Sequence, residues 1–334
     1  MQMPDTNRQW IYQARPEAQL ETGHFRWQTA AVPQPAPGEV QVRVQLLSVD
    51  PSQRTWMAGP SYRPMLQPGE VMASYAIGQV LESRSPDFAP GDRVEGDLGW
   101  QDVCAVTASA LRKRDRDRSP EDIAGVLGIT GATAYIGLLE IGQPRPGDQV
   151  LVSGAAGAVG TIAVQVARKA GCRVVAVAGG AAKCQRLREL GVDDVVDYKA
   201  GALRAELKRA LPRGVDVFFD NVGGSVLETA LPSMNIGGRI VCCGAISAYD
   251  AGQAPPGPRG VPALLVARRL RMQGFVVLDY PMRREAAEAQ LARWIDDGSL
   301  TAPTHLTQGL ENAPAALIEL LAGGNFGKAM VRVA

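Results

Sequence analysis

One stretch of the chain, residues 148–199, constrains the fold more than any other. A short apolar run at 150–153 is followed by Gly154, Gly157 and Gly160, by a helix-period segment at 161–169, and by a second apolar run at 173–178. Short apolar runs on either side of an amphipathic helix are typical of a strand–helix–strand unit with parallel strands. The stretch therefore predicts an α/β fold with a doubly wound parallel sheet.

The glycines between the first strand and the helix indicate a dinucleotide site. Backbone N–H groups at the positive end of a helix bind pyrophosphate, and only small residues allow the phosphates to approach them closely. The usual pattern is G-x-G-x-x-G, but Ala155 stands at its first glycine here. Turns rich in glycine and alanine also serve tight helix–strand packing without a ligand. The turn alone leaves both interpretations open.

The residues after the second strand favour a ligand with a 2′-phosphate. Sites for NAD carry Asp or Glu about 20 residues after the glycine turn, where the carboxylate binds the ribose 2′-hydroxyl. Gly179 and Gly180 stand at this place, and Lys183 follows on the next predicted helix. An absent carboxylate and a nearby ammonium group favour NADPH over NADH. The alternative is that Lys183 is an ordinary solvated lysine.

Composition limits the partners of the protein. The 334 residues are enough for two domains, and 46% hydrophobic content with a net charge of +1 indicates neither a nucleic-acid nor an acidic membrane partner. The N-terminal residues lack the apolar core of a signal peptide, and no apolar run reaches the about 18 residues of a transmembrane helix. We therefore expect a cytoplasmic protein. Arg268, Arg269 and Arg271 are expected to form the solvated face of a helix, because no aromatic residues interleave with them.

The cysteines and histidines do not predict a metal site. His24 and His305 are the two histidines, and no Cys/His cluster with the spacing of zinc ligands is present. The number of cysteines is odd, without C-x-x-C spacing, so we expect free buried thiols. These cysteines are Cys104, Cys172, Cys184, Cys242 and Cys243.

The character of the sequence changes near Arg118. Before it, Val40, Val42 and Val44 alternate with polar residues, and turn signals separate further short apolar runs, which predicts a small β-rich unit. The mixed charge run at 112–118 is expected to be a solvated connector. After it, strands and helices alternate, with a strand expected at 275–278. The strand ends at 221–224 and 244–247 should line the same crevice as the glycine turn.

Many short motifs in the same order give the chain a nearly end-to-end resemblance to a known family. It resembles the zinc-independent medium-chain dehydrogenases/reductases, and within them the prostaglandin reductases and alkenal/enone double-bond reductases. The motifs are LSVDP (47–51) with Arg54, LGWQD (98–102), TAY (133–135), GLLEIG (137–142), the glycine turn, FDNVGG (219–224), CGAISAY (243–249), PPGPRG (255–260), RMQGFVV (271–277) and GNFGK (324–328).

The resemblance implies a two-domain architecture. A GroES-like β-rich domain would be formed by residues 1–118 together with the C-terminal return at 301–334. A Rossmann NADP-binding domain would be inserted between them at 119–300. A homodimer is the usual assembly of the family. Zinc-dependent members carry Cys and a Gly-His-Glu motif as metal ligands, whereas the corresponding residues 48–51 and 68–72 contain neither Cys nor His.

The resemblance also implies the residues of an NADPH site. The pyrophosphate would lie against Gly157, Ala158, Val159 and Gly160. The 2′-phosphate would lie near Lys183 and Tyr198. The remainder of the cofactor, including the nicotinamide, would be enclosed by Asn221, Cys243, Gly244, Ala245, Ile246, Ser247, Tyr249, Phe275, Val276, Val277 and Asn325.

The activity implied by the resemblance is reduction of the carbon–carbon double bond of α,β-unsaturated ketones and aldehydes, with no zinc. Negative charge then develops on the carbonyl oxygen, which needs a hydrogen-bond donor. Two tyrosines that family members carry are replaced here by Ser52 and Ala267, which predicts a roomier pocket. Tyr62 is the first candidate donor, and Tyr249 or the nicotinamide ribose hydroxyl is the second. Alternatively, Tyr62 is a structural residue packed under a proline-rich loop.

Other functions on the same fold remain open at this point. One is an NADPH-dependent quinone reductase, which also works without zinc. Another is an NADPH-binding crystallin-like or RNA-binding relative with vestigial catalysis. Oxidation of an allylic alcohol is a further possibility within the family. The motifs at 219–224, 243–249 and 271–277 favour the enone reductases over these alternatives.

Overall fold

The structure is a computed structural model and describes residues 6–59, 61–250 and 257–333. The chain divides into two compact units, one formed by Met1–Gly125 with Thr304–Ala334 and the other by Val126–Pro303. The boundaries predicted from the sequence lie after Arg118 and after Leu300. Over the described ranges, no helix has the length and apolar character needed to cross a bilayer.

The strands are β1 (Asn7–Tyr12), β2 (Phe25–Ala30), β3 (Glu39–Ser48), β4 (Tyr75–Ser83), β5 (Arg93–Asp97), β6 (Val103–Thr107), β7 (Arg112–Arg114), β8 (Gln149–Val152), β9 (Arg173–Ala178), β10 (Asp194–Asp197), β11 (Val215–Asp220), β12 (Met234–Cys242), β13 (Arg271–Gly274), β14 (Thr304–Gln308) and β15 (Lys328–Arg332). The α-helices are α1 (Ser52–Trp56), α2 (Pro120–Ala124), α3 (Ile129–Ile136), α4 (Ala158–Lys169), α5 (Ala181–Glu189), α6 (Leu203–Ala210), α7 (Gly224–Ala230), α8 (Val261–Arg268), α9 (Pro281–Asp296) and α10 (Ala313–Leu321).

The second unit contains a parallel sheet in the order β10-β9-β8-β11-β12-β13. If β8 is taken as the first strand, this is the order 3-2-1-4-5-6 of dinucleotide-binding sheets. The direction of winding reverses between β8 and β11. A crevice forms at such a reversal, beyond the carboxyl ends of the strands, and the glycine turn lies there because it follows β8 directly.

Helices cover both faces of this sheet, because successive side chains of a strand point to opposite faces. On one face, Phe218 and Ile240 pack in an apolar cluster with residues of α6 and α7. On the other, Val217 and Val241 face the π-helical segment Gly137–Gly142. A Cβ at Gly142 would lie 3.1 and 3.2 Å from their side chains. The predicted doubly wound fold is therefore confirmed.

The first unit is β-rich, as predicted. Its larger sheet has the order β14-β15-β3-β4-β5-β7, with β6 paired to β3, and β1 pairs with β2 separately. Val40, Val42 and Val44 are buried as the alternation predicts. Gln41 on the opposite face is also buried, against expectation, because its Nε2 donates to the carbonyl oxygen of Pro33 at 2.7 Å.

The strand predicted at 275–278 is displaced along the chain. The observed strand is β13, which pairs in parallel with β12 from Arg239 opposite Arg271 to Cys242 opposite Gly274. Pairing stops there because β12 ends at Cys242. The apolar residues that suggested the strand, Phe275 and Val277, pack instead against side chains of α3 and α9.

Two predictions for charged residues are also corrected. Residues 112–114 of the expected connector form β7, because Arg112 and Arg114 pair with the buried carboxylate of Glu95. The three arginines at 268–271 do not form one helix face, since α8 ends at Arg268. That arginine donates to the carbonyl oxygen of Met234, and Arg271 donates to that of Ile141. Both anchor backbone segments of the unit.

Candidate cofactor and active site

The turn between β8 and α4 is where the fold requires glycine. Gly154 has a φ of 56°, in the left-handed region. A Cβ at Gly160 would lie 2.3 Å from the carbonyl oxygen of Gly154 and 2.6 Å from Cα of Ala155, so the first turn of α4 packs directly on backbone. This close approach places the start of the helix at the carboxyl edge of the sheet.

The four residues predicted for the pyrophosphate all lie at this turn. Gly157 directly precedes α4, and Ala158, Val159 and Gly160 are its first three residues. The first N–H groups of an α-helix have no acceptor within the helix, and among the described residues no side chain caps this one. An uncapped helix start without bulky side chains fits a pyrophosphate group.

A buried network joins the glycine turn to the end of β11. The Ser153 hydroxyl donates to Asp220 at 2.5 Å, and Asp220 also accepts from the N–H groups of Val222 and Gly223. Asn221 donates through its side-chain amide to the carbonyl oxygen of Ser153 at 2.7 Å. Burial raises the pKa of Asp220, and these hydrogen bonds counteract part of that effect. The network fixes the loop that carries Asn221 beside Gly154.

The loop at 243–249 lies against the same place. The N–H groups of Cys243 and Gly244 donate to the carbonyl oxygen of Asp220, and the N–H of Ile246 donates to that of Asn221. The Ser247 hydroxyl donates to the carbonyl oxygen of Val222 at 2.7 Å. The two loops are thus held side by side beyond β11 and β12, as the sequence predicts for the lining of one crevice.

The loop at 243–249 also carries the second candidate donor. The hydroxyl oxygen of Tyr249 accepts a hydrogen bond from the N–H of Ala245 at 3.1 Å. This bond closes the loop on itself.

Burial raises the pKa of Cys242 to about 11 and that of Cys243 to about 12. Both thiols are therefore protonated near neutral pH and are poor nucleophiles.

The ribose end of the predicted site is crowded at position 179 and has a left-handed backbone at position 180. A Cβ at Gly179 would lie 2.7 to 2.9 Å from the ring and hydroxyl of Tyr198, which follows β10. The neighbouring Gly180 has a φ of 96°, and its N–H donates to Asp197 at 2.9 Å. The side chain of Tyr198 is 47% exposed, so it covers Gly179 while its outer face stays open.

Two ammonium groups lie close to this end. Lys183 is half-buried in the first turn of α5, and its pKa is lowered, first by burial and then by the positive charge of Lys199. This electrostatic coupling distinguishes Lys183 from an ordinary solvated lysine. Sequence reasoning missed Lys199, although it directly follows Tyr198 in the chain.

The structure places four predicted site residues less directly. The side chains of Phe275 and Val277 pack against α3 and α9, and the ring of Phe275 fills the space where Gly137 lacks a Cβ. Val276 lies between them and is half-buried. Asn325 belongs to the other unit, where its buried amide donates to the carbonyl oxygen of Gly327 at 2.8 Å.

Tyr62 also belongs to the unit that contains Asn325. Its side chain is 53% exposed, and its hydroxyl oxygen accepts a hydrogen bond from the indole Nε1 of Trp56 at 3.3 Å. Ser52 is the first residue of α1, and Ala267 is an exposed residue of α8. Within the described ranges, no group of three or more His, Cys, Asp or Glu side chains could hold a metal ion.

Comparison with known proteins agrees with this architecture. A family model described as the N-terminal domain of oxidoreductase matches residues 8–113, and one described as zinc-binding dehydrogenase matches residues 158–296. The NADPH-dependent curcumin reductase of Escherichia coli (strain K12) is 40% identical over 100% of this chain and 99% of its own length. Prostaglandin reductase 1 of Rattus norvegicus is 36% identical over 97% and 98% of the two chains.

A solved structure extends the similarity to three dimensions. The structure of CurA from Vibrio vulnificus in complex with NADPH has a TM-score of 0.93 and 38% sequence identity, covering 98% of this chain and 99% of that one. The predicted combination of a Rossmann sheet with a GroES-like β-rich domain is confirmed. The chain belongs to the zinc-independent medium-chain dehydrogenase/reductase family, in the group of the prostaglandin reductases and alkenal/enone double-bond reductases.

Proposed function

We propose that the protein is an NADPH-dependent reductase of the carbon–carbon double bond of α,β-unsaturated ketones and aldehydes. The preference for NADPH is supported by the ribose end of the crevice, where glycines stand at 179 and 180, Tyr198 lies against Gly179, and Lys183 and Lys199 supply positive charge. A phosphate dianion is stabilised by such a pair of ammonium groups, whereas a plain ribose gains little from them. The names of the relatives support the substrate class.

In the proposed reaction, bound NADPH supplies a hydride to the β-carbon of the substrate. The electron pair of the C=C bond then forms a double bond between the α-carbon and the carbonyl carbon, and the C=O pair moves to oxygen, which gives an enolate. Protonation of the α-carbon from solvent restores the C=O bond and yields the saturated carbonyl compound. A donor placed at the developing enolate oxygen contributes about 3 kcal/mol in comparable oxyanion sites. The chain itself must therefore bind the cofactor, keep acidic side chains away from its 2′-phosphate and provide a hydrogen-bond donor to the enolate oxygen.

Tyr62 is the proposed donor, and Tyr249 is the second candidate. The hydroxyl of Tyr62 is exposed, which makes it accessible to a substrate oxygen. The hydroxyl of Tyr249 is tied to Ala245 within its own loop, which suits a role in shaping the crevice. The nicotinamide is proposed to lie against Asn221, the loop at 243–249 and residues 275–277. A homodimer is proposed as the assembly.

A panel of acceptors tests the proposed activity. NADPH oxidation is followed by absorbance with three acceptors: a linear enone, curcumin and a quinone. In the reverse direction, NADP reduction is followed with an allylic alcohol. Each reaction is repeated with NADH or NAD in place of NADPH or NADP. We expect turnover of both enones with a strong preference for NADPH, and mass spectrometry should identify saturated ketones. Oxidation with the quinone alone, or tight NADPH binding without any turnover, would refute the double-bond reductase.

Substitution of Tyr62 tests the donor separately. Tyr62→Phe removes the hydroxyl and keeps the ring, so turnover should fall at least about tenfold because an oxyanion donor is lost. NADPH affinity, measured by fluorescence titration, should change little. Unchanged turnover would eliminate Tyr62, and Tyr249→Phe would then be the next variant to measure.

A further inference from the structure

Tyr62 lies in the loop after α1, and its hydroxyl is hydrogen-bonded to Trp56, the last residue of that helix. Trp56 Nε1 lies 3.3 Å from Oη of Tyr62. An indole nitrogen can only donate a hydrogen bond, whereas a phenol can donate or accept. The direction of this bond is therefore fixed, and the Tyr62 oxygen is the acceptor.

The indole itself is firmly held. Trp56 is only 7% exposed, and the guanidinium group of Arg63 lies over its ring, 4.5 Å from the centroid. Arg63 forms an ion pair with Asp97 at 2.8 Å, and Asp97 in turn accepts from the N–H of Ser74 at 3.0 Å. Rotation of the indole would break this cation–π contact. The N–H group is thus presented in a fixed direction.

The proton of the Tyr62 hydroxyl has no partner in the described part of the chain. Its oxygen accepts from Trp56, and none of the described residues accepts its proton. A hydroxyl that accepts one hydrogen bond becomes a better donor in a second, because linked hydrogen bonds polarise one another. The phenol is therefore arranged to accept on the indole side and to donate on its exposed side.

We propose that Trp56 is a positioning residue that aims and polarises Tyr62 for donation to the enolate oxygen. This inference rests on the proposed function, since it requires Tyr62 to be the donor. No sequence motif marks Trp56, because the bond depends on how the loop at 57–66 folds back on α1. The N–H of Leu66 donates to the carbonyl oxygen of Trp56 at 2.9 Å and closes that loop.

Trp56→Phe is the direct test, because it removes the N–H and keeps an aromatic ring under Arg63. We expect kcat for enone reduction to fall about three- to tenfold, the value of one neutral hydrogen bond. KM for the enone and the affinity for NADPH should change less than twofold. In the Tyr62→Phe background the same substitution should change nothing, because the acceptor oxygen is already absent. Trp27→Phe, at a tryptophan that packs edge to face with Trp10, is the matched control.

The outcomes separate the inference from the proposed function. If wild-type protein reduces no enone, the proposed function fails. If Tyr62→Phe lowers kcat but Trp56→Phe does not, only the inference fails. Equal losses from Trp56→Phe in both backgrounds would show a purely structural role and would also overturn it. Should Trp56→Phe not fold, benzothienylalanine incorporated at position 56 replaces the N–H by sulfur at nearly constant shape, and the same losses are expected.

Discussion

The cofactor crevice and the Tyr62 loop at 57–66 are built in different ways. In the crevice, backbone groups make most of the contacts: Gly160 packs on the carbonyl of Gly154, and the loops beyond β11 and β12 bond through N–H and carbonyl groups. Around the Tyr62 loop, side chains make them: Tyr62 and Arg63 of the loop contact Trp56 of α1, and Arg63 pairs with Asp97 of β5. Close packing of backbone segments requires glycine at particular positions and can therefore be recognised in a sequence. A set of side-chain contacts can be formed by many residue types and cannot be recognised in this way.

This difference explains why one region could be interpreted from its residues and the other could not. The glycine turn indicates the position of the crevice, and the absent carboxylate at 179–180 with Lys183 favours NADPH as its ligand. The donor region lacks the two tyrosines expected from the resemblance, with Ser52 and Ala267 in their places. The comparison predicts that substitutions in the crevice damage folding or cofactor binding, whereas substitutions in the Tyr62 loop damage turnover alone.

The largest expected effect comes from Gly160→Ala. Its Cβ would overlap the backbone of Gly154 and Ala155, so α4 must move away from the turn. We expect a loss of about 1–3 kcal/mol in the free energy of unfolding, measured with urea, as for other overpacked sites. NADPH binding should weaken about 100-fold or more, about 2.8 kcal/mol.

Gly23→Ala is the control for this substitution, because a Cβ there meets no atom within 4 Å. Its stability should stay within about 0.5 kcal/mol of wild type. Wild-type stability and NADPH affinity in Gly160→Ala would contradict the close packing on which the crevice depends.

A smaller effect, confined to binding, is expected for Lys183→Ala. A charge-assisted contact to phosphate contributes about 1.5–3 kcal/mol, so NADPH affinity should fall about ten- to hundredfold. NADH affinity should not change, because NADH has no 2′-phosphate. Lys208→Ala, at an exposed lysine of α6, is the control and should alter neither affinity. An equal loss for both cofactors would mean that Lys183 supports the fold rather than the phosphate.

The smallest expected effect concerns Lys199 and pH. Because the pKa of Lys183 is lowered, its positive charge is lost as the pH rises at values below those of an ordinary lysine, and NADPH affinity should fall with it. Lys199→Gln removes the repelling charge, so the pKa of Lys183 rises. The alkaline loss of affinity should therefore move to higher pH, with a few-fold weaker binding at neutral pH. Isothermal titration across the pH range measures this, and an unmoved or opposite shift would refute the coupling.

The parts of the molecule that the sequence predicted correctly are those governed by local periodicity. Strand β9 was predicted with its observed bounds, and the sheet with its alternating helices followed from the same patterns. The strand expected at 275–278 was misplaced because pairing with β12, a contact distant in sequence, decides where β13 ends. An apolar run indicates burial but does not say whether a sheet or a helix layer buries it.

Charged and polar residues were harder to interpret for the same reason. Gln41 and Glu95 are buried beside partners that no sequence pattern marks, the carbonyl oxygen of Pro33 in one case and the arginines of β7 in the other. Lys199 acquires its proposed role beside Lys183, on a different element, and Trp56 acquires its role from the way Tyr62 and Arg63 fold back on it. Neither residue belongs to a periodic pattern, although Lys199 stands next to the predicted site residue Tyr198.

The measurement that tests the central claim most directly is the destination of the hydride. NADPH carrying deuterium at the transferred position of C4 is reacted with a simple enone, and the product is analysed by NMR. We predict a saturated ketone with deuterium on its β-carbon, and proton rather than deuterium at the α-carbon when the solvent is ordinary water. Deuterium on the former carbonyl carbon, as in an allylic alcohol, would contradict the account.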